Sequence, residues 1–243
     1  MSKIIAIWGS PNSGKTSLAL SLALSIYKNY NATVLVLHTD TVTPTLPVLF
    51  PDYKSDDLYS IGAVLSKTDI TQTELFKNTV SIKGKGNLGF LGFKDGENKY
   101  TYPRFDEIKS VLLLTLMRGC ADYVIVDCTS YPDSILTKAA ISQADVVIRL
   151  ATPDLRSMSF YSSQLSLYTD PKYHLGEHIQ GLLMRDCDLF LPVDEAKIHF
   201  KDVRFILPYC REVKQQMLDG KLLDGISNKK YNKVIHAITD KVV

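Results

Sequence analysis

The sequence offers little that is extreme. It has no apolar stretch of about 18 residues free of polar interruption, so a membrane-spanning helix is not expected. It opens on what reads as a strand rather than a signal peptide. Its four cysteines, Cys120, Cys128, Cys187 and Cys210, are scattered without C-x-x-C spacing. That pattern points to reduced, mostly buried thiols in a cytosolic protein rather than to a disulfide framework. Charge is nearly balanced, with 28 Lys and Arg against 26 Asp and Glu for a net +2, which gives no strong pull toward nucleic acid or a membrane surface. There are no repeats and no low-complexity tract. Apolar residues at 45% and charged residues at 22% of 243 positions are ordinary for a soluble globular chain, and residues 1–243 suffice for one α/β domain without a visible linker.

The informative stretch is residues 4–17. Ile4–Trp8 is a short β-branched apolar run, the mark of a buried strand. Gly9-x-x-x-x-Gly14-Lys15-Thr16 follows at once and matches the P-loop pattern. A helix that is apolar nearly all round then continues through Leu18, Leu20, Leu22, Ala23, Leu24 and Ile26. Polyphosphate needs many donors at close range. Glycines let backbone N–H groups curl around it, and the N-terminus of the following helix adds its positive dipole end. Gly9, Ser10, Pro11, Asn12, Ser13, Gly14, Lys15, Thr16 and Ser17 are therefore the candidate cofactor-binding loop. Lys15 is positioned to reach the β/γ oxygens, and the Thr16 hydroxyl to ligate Mg²⁺.

The rest of the chain alternates strand and helix. The first helix is expected to end near Tyr30, and Thr33–His38 to be a second buried strand, completing a βαβ unit. Residues 43–57, with Pro44, Pro47 and Pro51, read as an extended loop. Short helices are expected over 58–64 and 74–80, a strand over 88–93, a surface loop over 95–103 and a clear helix over 105–118. Strands at 123–126, 144–150, 178–185 and 203–207 alternate with helices at 133–142, 156–167, 213–218 and 228–243. Six or seven strands with helices between them predict a doubly wound, mostly parallel sheet covered on both faces.

Two carboxylates stand out at strand ends. Tyr123–Val126 runs into Asp127, the Walker B arrangement, in which the carboxylate at the strand tip holds the Mg²⁺ shell. Asp40 lies just past the carboxyl end of the second strand, the edge where ligands bind in open α/β sheets, and is a candidate to face the Mg²⁺–phosphate site. An ordinary turn aspartate stays open at that position, since Thr39-Asp40-Thr41 also reads as a turn.

Several stretches, taken in order, resemble the MinD/ParA group of P-loop ATPases, which includes the TadZ/CpaE proteins of pilus assembly. Val34–Asp40 resembles that group's second strand, which ends in Asp-x-Asp, and Asp122–Asp127 resembles its Walker B strand. Gln143–Ile148, leading to Thr152-Pro153-Asp154, is similar to its next strand and loop. Phe205-Ile-Leu-Pro208-Tyr209, then Arg211–Gly220 and Leu222-Leu223, resembles its closing segment, and Leu58–Leu65 its short helix after the second strand. The resemblance implies an ATP-binding fold that dimerises face to face around ATP. It implies that Thr16 and Asp127 manage Mg²⁺, that Asp40 aligns the attacking water, and that Met184, Arg185, Pro208, Tyr209 and Cys210 hold the adenine. The chain departs from the pattern at three positions. Ser10 stands where the family carries a lysine that crosses the dimer, His38 where it carries the first acid of Asp-x-Asp, and Met184 where it commonly carries Asn. Losing the lysine removes a fixed positive charge from the transition state.

The expected function is a cytoplasmic Mg·ATP-dependent dimerisation or localisation switch with slow hydrolysis, closest in character to TadZ-like members with irregular P-loops. Its expected partners are a second copy of the chain and a protein of a localisation, secretion or pilus system, through which it reaches the inner face of the membrane. A non-hydrolysing ATP-bound scaffold stays open, and so does a small-molecule kinase, although Arg204 and Arg211 are too few and scattered for a lid. Other signals read as ordinary. Ser66-Lys67-Thr68-Asp69 lies on the wrong side of Walker B for guanine reading. His174, Glu177 and His178 lack further ligands, and Lys83 and Lys85 read as solvated. The basic amphipathic C-terminal helix reads as packing against the sheet rather than lying on a membrane.

Overall fold

A computed structural model describes residues 2–184 and 188–243. The chain opens with β1 (Lys3–Gly9), α1 (Lys15–Tyr30) and β2 (Val34–His38), followed by three short helices, α2 (Leu46–Leu49), α3 (Ile61–Leu65) and α4 (Gln72–Lys77). A hairpin of β3 (Val80–Ile82) and β4 (Lys85–Leu91) comes next, then α5 (Glu107–Cys120), β5 (Tyr123–Asp127), α6 (Ile135–Gln143), β6 (Val146–Ala151) and α7 (Leu155–Gln164). The chain closes with β7 (Ile179–Leu183), α8 (Val193–Phe200), β8 (Val203–Leu207), α9 (Arg211–Leu218) and α10 (Lys229–Val242).

Among the described residues the strands form one eight-stranded sheet in the order β3-β4-β2-β5-β1-β6-β7-β8. Every pairing is parallel except that of β3 with β4. Alternation along the strands divides the core into two layers. Ile5 and Ile7 of β1 pack with α1, α2 and α10 on one face. Ile4, Ala6 and Trp8 pack with α3 to α8 on the other. Side-chain caps mark the helix starts, with Asp106, Ser134, Asp154 and Asn228 each accepting from the N–H three residues on, which satisfies donors the first turn leaves open. Along α10, Tyr231, Ile235, Ile238 and Val242 are buried. Its Tyr231 hydroxyl meets Ser21 Oγ at 3.2 Å, and Thr239 Oγ1 donates to Ser25 Oγ at 3.0 Å. Among the described residues no helix is long and apolar enough to cross a membrane.

The differences from the sequence reading are local. Residues 43–57 contain a turn of helix, because Pro47 sits in the first turn of α2, where its missing N–H costs nothing. The helix expected to reach residue 80 stops at Lys77, and Val80 enters the antiparallel strand β3. Gly84 makes the turn into β4 with φ 81°, so the glycine-rich segment is a hairpin. Helix α8, built on Val193 and Ala196 against the core, was not anticipated, and the sheet has eight strands rather than six or seven.

Candidate functional site

The carboxyl ends of β1, β2, β5 and β6 meet at the loop that joins β1 to α1. Parallel register sets Ile7 of β1 and His38 of β2 on either side of Asp127, and Gly9 beside Leu150 of β6. Gly9 has φ 154°, and a Cβ there would lie 2.0 Å from the Leu150 carbonyl oxygen. Gly14 has φ 82°, and a Cβ on it would meet Leu183 Cδ2 of β7 at 2.6 Å. Both glycines are thus required by a loop wrapped tightly against its neighbouring strands. Asn12, exposed at the tip, also has positive φ, at 58°.

Lys15 folds back over the loop. Its Nζ donates to Ser10 O at 2.9 Å and to Ser130 Oγ at 2.7 Å, and Ser130 Oγ in turn donates to Gly9 O at 2.7 Å. An ammonium has three donors, so one remains for an anion cradled by the loop. Burial lowers the Lys15 pKa from its ordinary value, opposed first by the charge of Asp127 and more weakly by that of Asp40. Thr16 Oγ1 donates to Asp127 Oδ2 at 2.8 Å. The same oxygen is 2.9 Å from His38 Nδ1. The His38 ring is buried, and its Nε2 has no partner among the described residues. Thr39 N and Oγ1 both donate to the Asp127 carbonyl, which locks the tips of β2 and β5 together.

Asp40 behaves as a turn residue. Its Oδ1 accepts from the N–H groups of Val42 and Thr43 at 2.8 and 3.0 Å, while Oδ2 is 3.4 Å from the Thr129 hydroxyl. It stands at the sheet's carboxyl edge with one oxygen toward the β5 loop, outside the Thr16–Asp127–His38 contact. Ser10 points inward and is only 1% exposed. Its Oγ meets Ser157 Oγ at 2.7 Å, and Ser157 Oγ meets Thr152 Oγ1 at 2.7 Å, so hydroxyls tie the loop to the start of α7. Pro11 is exposed, Ser13 is buried with its Oγ donating to Ser10 O, and Ser17 is half-buried. Met184, whose N–H donates to Leu207 O, and Pro208 and Tyr209 extend the ends of β7 and β8. Cys210 is buried in the α1 face of the core. Arg185 and Cys187 lie outside the described residues. Sequence reasoning passed over Ser130 and Ser157 and named Thr152 only as part of a loop; their hydroxyls fix Lys15 and Ser10. A hydroxyl-rich loop after each of two strands was the available signal.

The donor set fits a Mg·nucleotide. A hydroxyl and a carboxylate, both oxygen donors, meet beside a glycine cradle that a Cβ would fill. No family model matches the sequence, and no curated protein matches it significantly. Solved structures do. The chain superposes on a ParA-family ATPase from Chlorobium tepidum with TM-score 0.76 at 14% identity, covering 98% of this chain and 97% of that one. The fold is that of the MinD and ParA ATPases. MinD from Pyrococcus horikoshii, solved with Mg-ADP, gives TM-score 0.73 at 16% identity over 100% and 96% of the two chains. A MinC:MinD complex from Aquifex aeolicus gives 0.75 at 15% over 99% and 95%. The MinD/ParA fold therefore spans this chain from end to end, with the loop at Gly9–Thr16 at the carboxyl edge of its sheet.

Proposed function

We propose that this chain is a Mg·ATP-dependent switch of the MinD/ParA type that hydrolyses ATP slowly. The observation that carries the reading is the contact of Thr16 with Asp127, which sets a P-loop hydroxyl against a strand-tip carboxylate beside Lys15. Lys15 and the loop N–H groups would bind the polyphosphate, and Thr16 and Asp127 would hold Mg²⁺. That ion neutralises charge developing on the phosphates. Asp40, bordering the same edge, would orient the attacking water. Met184, Arg185, Pro208 and Tyr209 would flank the base.

Face-to-face association is supported by apolar side chains exposed around the loop. Val42, Tyr131 and Leu155 are 57%, 54% and 82% exposed, and each follows the end of a central strand. A second copy of the chain is the partner proposed for that face, with a protein of a localisation, secretion or pilus system downstream, in the cytoplasm. The lack of a lysine at Ser10 gives the site a TadZ-like character. The same feature favours a second reading. With Ser10 turned inward and His38 occupying the Asp127 carboxylate, ATP would be held as a structural ligand without turnover. An ATP-turnover assay on the wild type, Lys15→Ala and Asp40→Ala decides between them. Slow turnover lost in both variants supports the switch, and tight ATP binding without turnover supports the scaffold. Retention of tight ATP binding by Lys15→Ala sinks the site assignment.

A further inference from the structure

Away from the P-loop, on the opposite layer of the core from α1, a cavity of about 350 Å³ lies between β6, β7, α7 and α8, lined by Arg149, Tyr161, Gln180, His199, Phe200 and Lys201. Arg149 is the anomaly. It projects from the middle of β6 on the side of Val147 and Ala151, which belong to the core. Its Nε is buried without a hydrogen-bond partner, and no carboxylate pairs with it among the described residues. Two acids on neighbouring segments are engaged elsewhere, Asp194 with Lys197 and Asp202 with Arg204. Burial lowers the Arg149 pKa from its ordinary value, with only Tyr161 acting against it.

Arg149 is half-buried, and its shielded Nε costs desolvation free energy unless something pairs with it. Among the described residues the other ionisable groups facing the cavity are cationic or neutral. Lys201 and His199 sit at the end of α8, and Lys201 is held at φ 52°, a conformation that non-glycine residues seldom adopt. Arg149 offers a planar fork suited to an oxyanion, and Lys201 offers a point charge. Tyr161 and Phe200, whose rings stand edge to face at 5.3 Å, supply an apolar wall. The volume is at the lower end of small-molecule sites, roughly 300–1,000 Å³.

We propose that this cavity is a second ligand site, for a small phosphate-bearing molecule whose dianion is bound by Arg149 and Lys201 and whose organic part rests on Tyr161 and Phe200. The site stands independently of the reading of the P-loop. Tyr161 Oη donates at 3.1 Å to the Leu150 carbonyl that also accepts from Ser10 N, so the two sites must be separated experimentally.

The test is run in the Lys15→Ala background, where the P-loop lysine cannot contribute. Inorganic pyrophosphate is titrated at constant ionic strength, with thermal melting and the fluorescence of Trp8, whose ring lies 5.6 Å from Tyr161, as readouts. Saturable stabilisation is expected, abolished by Arg149→Met and partly kept by Arg149→Lys. In anion-free buffer Arg149→Met should melt at or above its parent, since it deletes a half-buried cation whose shielded Nε has no partner among the described residues. Lys201→Ala, at an exposed position, should fold normally and weaken binding several-fold, which keeps the test decisive if Arg149→Met does not fold. The absence of a saturable response in the Lys15→Ala parent, or an equal response in Arg149→Met or Lys201→Ala, overturns the proposal.

Discussion

His178 makes stability depend on pH in a way that reaches the P-loop strand. The residue is 8% exposed. Nε2 donates to Tyr173 O at 2.7 Å, and Nδ1 accepts from Trp8 Nε1 at 3.4 Å. Both nitrogens are thereby assigned and the ring is neutral. A proton on Nδ1 would oppose one N–H to another in a buried aromatic cluster of Trp8, Tyr161 and Tyr168. Burial pushes the His178 pKa from 6.5 down to about 4. Between those two values the unfolded chain binds the proton and the folded chain does not, so stability rises with pH. The stability conferred by the neutral ring is fully present above pH 6.5 and is lost as pH falls toward 4. At about 1.4 kcal/mol per pKa unit, the shift corresponds to about 3 kcal/mol. The assay is urea unfolding from pH 7.5 down to about pH 4.5, followed by Trp8 fluorescence, for the wild type and His178→Gln. The glutamine can accept from Trp8 and donate to Tyr173 but does not titrate. Carboxylates that titrate in the same range cancel in the comparison. The wild type should lose about 2–3 kcal/mol more than the variant over this range. Parallel curves for the two proteins would refute the argument.

Three further outcomes are expected. Gly9→Ala forces a Cβ to within 2.0 Å of the Leu150 carbonyl at a φ of 154°. It should cost at least about 1–3 kcal/mol from backbone strain alone and abolish ATP binding measured by calorimetry; wild-type affinity would show that the loop is not wrapped as described. Thr16→Val removes the hydroxyl bonded to Asp127. It should leave Mg²⁺-free nucleotide binding in place while losing the gain conferred by Mg²⁺, a change of order tenfold or about 1.4 kcal/mol, and an unaltered Mg²⁺ response would remove Thr16 from the proposed metal site. Ser10→Ala breaks the 2.7 Å link to Ser157 and should lower stability by about 1 kcal/mol; an unchanged denaturation midpoint would show that the hydroxyl chain between the loop and α7 does not contribute.

What was legible in the sequence was what is encoded locally. The P-loop and its flanking strand and helix could be read because their spacing lies within residues 4–26. The strands β2 and β5 were equally plain, since their runs, Val34-Leu-Val-Leu-His38 and Tyr123-Val-Ile-Val-Asp127, are short, β-branched and bounded by polar residues. What could not be read depends on strand order. His38 and Asp127 are far apart in the chain and meet only because β2 and β5 pair in register. His38 was visible as a departure from a family pattern, but not as a ring bonded to the Walker B carboxylate. The inward turn of Ser10 follows from Ser157 and Thr152 lying under the loop, which is a matter of packing. Arg149 was hidden inside an apolar strand, where only the three-dimensional arrangement reveals that no acid among the described residues pairs with it. The hairpin β3–β4 was obscured because glycines at 84, 86 and 89 mask strand alternation.

In the proposed function the nucleotide state sets the association of this chain. Its most direct test is the molar mass in solution, by light scattering, with Mg·ATP and with Mg·ADP, for the wild type and Lys15→Ala. The mass is expected to double with Mg·ATP alone, and Lys15→Ala to stay at the mass of one chain throughout. A wild-type mass that is the same in both nucleotides, or a doubling that persists in Lys15→Ala, would contradict it.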